Sequence, residues 1–420
     1  MRFFQKVWIV ITCIIAILFQ SSSFLTEKLN SVVYEQNLFK TYFENIRQIK
    51  TFHYDPERKF LTRPATNSYS QKILVDESRD DITPGRENAT IVMLVRNWEL
   101  DQALESMRSL EDRFNKKYRY PWTFLNDVPF DAEFIEATSL MASGETEYGL
   151  IPSEDWNRPP WINETQFEES LQQMTEAKVL YGDSRSYRNM CRFNSGFFYK
   201  QQLLQKYEWY FRVEPSVQYY CDFNYDPFQV MRLNGKKYGF IIAIHEYEET
   251  IPTLYDTVMD FIEENPQYLH PNSSIDFITD MSSLSNMHIR LDLANDYNLC
   301  HFWSNFEIGN LDFFRSEAYE AFFNYLDKKG GFYYERWGDA PVHTLGVSLL
   351  MDKDEIHYFE DIGYYHGPFG NCPSSNALRL SKRCVCDPQD ESVVDIEEHS
   401  CIPRWWKVGG KTFLKDKGTF

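Results

Sequence analysis

The sequence predicts an α/β fold with a mostly parallel central sheet, carried by a single large domain over residues 88–420, and three observations predict it. Ala89 to Val95 is a nearly continuous apolar, β-branched run, the pattern of a strand buried on both faces. From Glu99 to Phe114 apolar residues recur at helical spacing through Leu100, Ala103, Leu104, Met107 and Leu110. A second strand pattern follows at Tyr120 to Leu125. Strand, loop, helix, strand is the opening of a doubly wound nucleotide-binding sheet, whose ligands sit past the carboxyl ends of the strands. The loop at Arg96 and Asn97 is therefore the first place to expect nucleotide contacts. Neither GxGxxG nor a Walker A sequence occurs, which disfavours the standard dinucleotide and ATP folds.

Upstream of residue 88 the chain reads as a membrane-targeting segment followed by a spacer. Arg2 and Lys6 precede an apolar run from Val7 to Phe19, and Ser21, Ser22 and Ser23 follow it. The run is short for a span, but Phe3, Phe4, Phe24 and Leu25 extend it, and thin membranes of the early secretory pathway accept shorter helices. No small-x-small cleavage site follows, so an uncleaved anchor over 7–25 is expected in preference to a cleaved signal peptide. Positive charge on its N-terminal side keeps residues 1–6 cytosolic and sends the remainder into the lumen. Residues 26–87 are polar, with helical fragments such as Leu38 to Ile49 and breakers at Pro56, Pro64 and Pro84, and are expected to form a stem.

Downstream, strands are expected at Trp209 to Val213 and Gly239 to Ile244, and helices at Thr253 to Glu264 and Ser316 to Lys329. Asn88, Asn163 and Asn272 begin N-glycosylation sequons, in keeping with a lumenal chain. Seven cysteines lie beyond the anchor: Cys191, Cys221, Cys300, Cys372, Cys384, Cys386 and Cys401. In an oxidising lumen they are expected to be largely paired with one left over, and Cys384-x-Cys386 reads as part of a disulfide-stapled tail rather than a zinc site.

Composition narrows the partners. With 62 acidic against 43 basic residues and a formal net charge of -19, the surface repels phosphodiester backbones, so nucleic acid is not expected as a partner. A nucleotide sugar is compatible, because a metal ion neutralises a diphosphate locally. Aromatic residues make up 17% of the chain; most belong to the core, and the surplus suits stacking on the apolar faces of sugars.

Several segments between Asn88 and Cys372 carry a resemblance. They are Val95-Arg96-Asn97, Tyr187-Arg188-Asn189-Met190-Cys191-Arg192-Phe193 and Tyr210-Phe211-Arg212-Val213-Glu214-Pro215, then Tyr247-Glu248-Glu249-Thr250-Ile251-Pro252 and His301 to Ile308. Tyr334 to His343 and Phe359 to His366 complete the series. In this order they resemble the fungal α-1,2-mannosyltransferase family, glycosyltransferase family 15. The resemblance implies a GT-A-like nucleotide-sugar-binding fold, GDP-mannose as donor, a mannose-terminated glycan as acceptor, manganese as cofactor, and a single-pass type II protein of the Golgi membrane.

Residue by residue, the resemblance makes His366 the direct manganese ligand, where the residue alone would read as a packed core histidine. Glu214 in Glu214-Pro215-Ser216 matches the family's Glu-Pro-x sequence and is expected near metal and phosphates, or as a hydrogen-bonding scaffold at the strand end. The family often carries Asp or Gly where this chain has Ser216. Glu307 matches the glutamate placed beneath the anomeric carbon; among Trp303, Phe306 and Ile308 it would otherwise be a buried carboxylate bonded to backbone or to an arginine. Nucleophile and electrostatic stabiliser both stay open for it, as both routes to retention use a carboxylate there. Asp339 resembles an aspartate near the catalytic centre that binds the transferred mannose or helps the acceptor hydroxyl lose its proton; helix N-capping is the rival role. Arg96 and Arg192 are candidates for phosphate or nucleotide contacts, with ordinary ion pairs as the alternative. Tyr187, Tyr219 and Tyr220 are candidates to shape the sugar groove, though core packing explains any one of them. Glu248 and Glu249 read as helix-start residues, and Asp352-Lys353-Asp354, the one DxD sequence, as a solvated turn.

The leading functional expectation is a retaining α-1,2-mannosyltransferase acting on N-linked or O-linked glycans. A mannosylphosphate transferase or its regulator within the same family, and a non-catalytic lumenal glycan-binding protein, are the alternatives.

Overall fold

The structure, a computed structural model, describes residues 60–63, 86–280, 296–395, 397 and 399–409. The tail and anchor expected over 1–25 and the helical fragment expected at Leu38 to Ile49 lie outside the described residues. Among the described residues no helix is long and apolar enough to cross a membrane.

Thirteen strands are described: β1 (Phe60–Arg63), β2 (Ala89–Leu94), β3 (Trp122–Asn126), β4 (Thr146–Leu150), β5 (Trp209–Val213), β6 (Val217–Tyr219), β7 (Tyr238–Phe240), β8 (Ala243–His245), β9 (Cys300–Phe302), β10 (Phe306–Asn310), β11 (Ile356–Tyr358), β12 (Tyr364–His366) and β13 (Phe369–Asn371). Eight of them form the main sheet in the spatial order β1, β4, β3, β2, β5, β10, β7, β11. The β4/β3, β3/β2, β2/β5 and β7/β11 neighbours run parallel, while β1/β4, β5/β10 and β10/β7 are antiparallel. A three-stranded sheet, β13, β12, β6, and a two-stranded one, β8, β9, complete the set.

The strand expected from Ala89 and the helix expected from Glu99 are both present. Ala89–Leu94 is buried almost throughout, and helix Leu100–Leu110 buries Ala103, Met107 and Leu110 against the sheet. Two expectations change. The described residues belong to one compact unit, and Phe60–Arg63, expected within the 26–87 stem, pair with β4 as an edge strand. A short polar-flanked segment carries no sign that its backbone will be recruited by a distant sheet edge. The strand expected at Gly239 to Ile244 splits into β7 and β8, which belong to different sheets. Ile241 and Ile242 between them are buried, so an unbroken apolar run hides the point where the backbone changes partner.

Side chains alternate across the main sheet and fill a core on each face. Ile91, Met93, Phe211, Phe306 and Ile308 point to one side. Val92, Leu125, Tyr210 and Tyr238 point to the other. Cys221–Cys384, Cys300–Cys401 and Cys372–Cys386 are disulfides, and Cys191 is free and buried. Each of the three bonds joins the C-terminal region, from Cys384 onward, to a strand or loop of the body, as a stapled tail requires.

Candidate active site

Alternation on β10 decides where Glu307 goes. Phe306 and Ile308 enter the first core, so Glu307 between them is forced to the opposite face, beside Tyr210 and facing Arg212 in register on β5. Its side chain is fully buried. Three donors meet the carboxylate: the Tyr210 hydroxyl at 3.0 Å on Oε2, and the Tyr238 hydroxyl and His343 Nδ1, each at 2.7 Å, on Oε1. Gly309 makes the first contact possible, because a Cβ there would stand 2.5 Å from the Tyr210 ring. A small cavity runs past this group and is also lined by Leu94, Leu125, Asn194, Tyr210 and Arg212. Its walls at Leu94 and Leu125 are the carboxyl ends of β2 and β3, where a doubly wound sheet takes its ligand.

Arg212 organises the neighbouring carboxylates. Its Nε donates to Glu214 Oε1 at 2.7 Å and its Nη1 to Asp339 Oδ2 at 2.5 Å. Burial works against the Arg212 charge, but Asp339, Glu214 and Glu307 outweigh it and raise its pKa well above the ordinary arginine value. Asp339 begins the helix Asp339–Leu350 but does not cap it: Gly338 holds the cap position and the Asp339 side chain turns to Arg212 and to the Ser304 hydroxyl at 2.8 Å. Burial alone would raise the Asp339 pKa, yet Arg212 above all, with His343 and the Ser304 hydroxyl, holds it below the usual value. Pro341 is tolerated in this helix because first-turn N–H groups have no intrahelical acceptor. One turn after Asp339 the same helix face presents His343.

His366 ends β12, half-buried, with its ring stacked on Trp303 at 5.4 Å and its Nδ1 against the Asn305 side-chain amide. Burial lowers its pKa; Glu214 pulls the other way and Arg212 adds to the lowering. A neutral imidazole with one nitrogen engaged by a side chain suits a divalent cation. The structure sets Asn305 Nδ2 against Nδ1, whereas metal on Nε2 requires a proton on Nδ1, so the Asn305 amide would turn about to present Oδ1 to it. The fit is therefore chemically sound, with Glu214 as the neighbouring carboxylate. Ser216, which follows Glu214-Pro215, has φ 62°, the left-handed region that Gly enters freely and Asp more readily than most residues.

Arg96 extends from the end of β2. Its guanidinium pairs with Asp127, donates to Ser186 Oγ at 3.0 Å and lies over the Trp156 ring at 4.8 Å. Arg192 is not brought to the cluster. It is buried in a two-pronged pair with Asp327, at 2.7 and 2.9 Å, the ordinary ion pair that was the alternative to a nucleotide contact. Tyr187 is half-buried beneath the exposed Tyr181 ring, stacked at 4.5 Å, while Tyr219 is core and Tyr220 half-buried. Glu248 and Glu249 sit in their own 3-10 turn, Glu248–Thr250, ahead of helix Leu254–Glu264 rather than in its first turn. Asp352 caps the turn Lys353–Glu355 through the Asp354 N–H, as a DxD in a turn was expected to do. It also accepts from Asn272 Nδ2 at 2.7 Å; Asn88 Nδ2 likewise donates to the Lys206 carbonyl at 2.7 Å and Asn163 Oδ1 accepts from the Gln166 N–H, but these two sequon asparagines are exposed where Asn272 is half-buried.

Arg212, Tyr210, Tyr238, Ser304 and His343 have no assigned role in the sequence reading. Two signals pointed at part of this set: the 339/343 spacing on one helix face, and the 210/212 alternation on one strand face.

Residues 39–410 match the family described as glycolipid 2-alpha-mannosyltransferase. The chain is 58% identical over 391 residues to the probable mannosyltransferase YUR1 of Saccharomyces cerevisiae, covering 91% of each. It is 50% identical over 326 residues to the alpha-1,2 mannosyltransferase KTR1 of the same yeast, covering 78% of this chain and 80% of that one. Among solved structures it resembles core-mannan synthase A of Aspergillus fumigatus in its Mn/GDP form, with TM-score 0.72, 43% identity, and coverage of 78% and 86%. The fold is accordingly GT-A-like, with one catalytic domain on a mixed, mostly parallel sheet. On sequence and on architecture alike, the chain belongs to the glycolipid 2-alpha-mannosyltransferase family, glycosyltransferase family 15.

Proposed function

We propose that this protein transfers mannose from GDP-mannose to a mannose-terminated glycan, forming an α-1,2 linkage with retention of configuration. The observation that carries the reading is a buried carboxylate, Glu307, held by three donors in a cavity also lined by Arg212, whose guanidinium pairs with Asp339. In the transfer, the bond from the anomeric carbon to the diphosphate breaks and a bond to the acceptor 2-hydroxyl oxygen forms. Positive charge that develops on the sugar is met by Glu307, since a pre-oriented carboxylate in a water-poor site has no solvent to reorganise. Asp339, kept ionised by Arg212 and Ser304, orients the acceptor hydroxyl, whose proton passes to the departing diphosphate oxygen. Arg96 at the end of β2 is the candidate donor contact, and Glu214 with His366 the candidate diphosphate end. His366 would hold manganese, which when bound neutralises the charge of the departing diphosphate. Placement as a Golgi type II protein, anchored over 7–25 with sugar on Asn88 and Asn163, agrees with the sequons and the disulfides.

The test incubates the chain with GDP-mannose, manganese and methyl α-mannoside, followed by linkage analysis. The expected product is an α-1,2-linked disaccharide. Its formation falls by at least about 100-fold in Glu307→Gln and is lost or metal-insensitive in His366→Ala. Unchanged turnover in both variants rules the reading out.

A further inference from the structure

His343 lies at the bottom of the cavity, fully buried among Phe198, Phe314 and Tyr319, and both of its ring nitrogens have partners. Nε2 stands 2.9 Å from the Asn194 backbone oxygen and Nδ1 2.7 Å from Glu307 Oε1. A carbonyl oxygen only accepts, so Nε2 carries a hydrogen. That fixes the proton count of the second contact. A neutral ring protonated on Nε2 has a bare lone pair on Nδ1, and an ionised Glu307 offers another. Two lone pairs do not sit 2.7 Å apart, so one more proton lies between the ring and the carboxyl group.

The remaining partners decide which side holds it. Tyr210 and Tyr238 both donate their hydroxyls to the carboxylate, and each keeps its proton because burial, and then Glu307 itself, raises its pKa well above the ordinary value. Both carboxyl oxygens of Glu307 are therefore acceptors of a phenolic hydrogen. The charged groups facing the pair are Arg212 on β5 and Asp339 one turn earlier on the same helix. Burial opposes charge on His343 and Arg212 adds to that, but Glu307 and Asp339 outweigh them and raise its pKa.

We propose that His343 is the positioning residue of the Glu307 carboxylate: an imidazolium clamped between the Asn194 carbonyl and Oε1, holding the shared proton on Nδ1 and orienting the carboxylate through it. With Tyr238 and His343 both on Oε1 and Tyr210 alone on Oε2, Oε2 is the less occupied oxygen and the one left for the sugar. This inference rests on the reading of Glu307 as the carboxylate beneath the anomeric carbon.

The test has two independent readouts on the full-length chain. In nitrogen NMR of ¹⁵N-histidine-labelled protein, with His343 assigned by the signals missing in His343→Asn, both ring nitrogens are expected to be protonated at pH 6. A bare Nδ1 there overturns the proposal without reference to activity. In kinetics, His343→Asn retains a neutral donor near Oε1 and is expected to lower kcat by roughly 100-fold while changing KM for GDP-mannose by less than about three-fold. It is also expected to remove the alkaline limb of the kcat profile, which in the parent protein reports loss of the imidazolium proton. An Asn variant with parental kcat and an intact alkaline limb overturns the proposal. Full activity of Glu307→Gln, with an imidazolium seen by NMR in the parent protein, removes the catalytic reading of Glu307 and leaves the proton assignment standing.

Discussion

Arg212 on β5 and Asp339 at the head of its helix lie 127 residues apart in sequence and are joined by an Nη1 to Oδ2 contact of 2.5 Å, inside a site where both side chains are largely buried. The same guanidinium holds Glu214, so one cation balances two carboxylates that face opposite ends of the proposed reaction.

Arg212→Leu is therefore expected to lower stability by about 3–5 kcal/mol, since Asp339 is left buried without its counter-charge. Transfer activity is lost as well. Arg212→Lys restores part of the stability but little activity, because an ammonium cannot serve both carboxylates from one fork. Urea unfolding and turnover on methyl α-mannoside give the two numbers, and a Lys variant as active as the parent contradicts the assignment.

Arg192 makes the opposite prediction. Its side chain is 2% exposed and is matched to Asp327, so Arg192→Ala is expected to cost about 3–5 kcal/mol of stability. In the fraction that folds, GDP affinity is unchanged. Calorimetric titration with GDP checks this, and a ten-fold weaker affinity would return Arg192 to the donor site.

The carboxyl group of Asp395 gives a pH signature outside the site. It accepts from Asn371 Nδ2 at 2.8 and 2.9 Å. Burial, with Glu360 adding and Asn371 opposing, raises its pKa from 3.8 to about 7. The folded state then keeps a proton that the unfolded chain has given up, so stability falls as pH climbs from about 4 to about 7 and levels off above. Asp395→Asn has no such proton to keep. Its stability relative to the parent is expected to grow across that window, and a urea-midpoint difference that does not vary between pH 4.5 and pH 7.5 contradicts the shift.

The disulfide Cys221–Cys384 closes a span of 163 residues and fastens the tail beside Gly363, whose Cβ would stand 2.8 Å from Cys221 Sγ. Replacing both cysteines by serine is expected to cost about 2–5 kcal/mol. Thermal unfolding with and without reductant measures it; a variant whose melting is unchanged, and is still lowered by reductant to the parent's extent, shows that the other two bonds carry the tail.

Much of the fold was legible because it is written in local periodicity. The β-branched run at Ala89, the three-to-four spacing after Glu99 and the aromatic strand at Trp209 each need only their own neighbours to be recognised. The edge strand at Phe60 and the break after Phe240 were not, since each depends on which backbone lies alongside. In the site, Glu307, Asp339, Glu214 and His366 could be picked from motifs, and the structure gathers them around Arg212, His343, Ser304 and Asn305.

The sequence by itself determined the opening strand, helix and strand, the strand at Trp209, the helices after Thr253 and Ser316, the acidic balance, the sequons and the motif blocks that mark the family. Only the tertiary structure decided which cysteines bond, that Arg192 serves Asp327 and Arg212 serves Asp339, and that a histidine shares a proton with Glu307. The physical reason is range. Helix and strand patterns arise from contacts a few residues apart, whereas buried charges take whichever partner the packed sheet brings within about 3 Å, and that partner lies more than a hundred residues away in both arginine pairs.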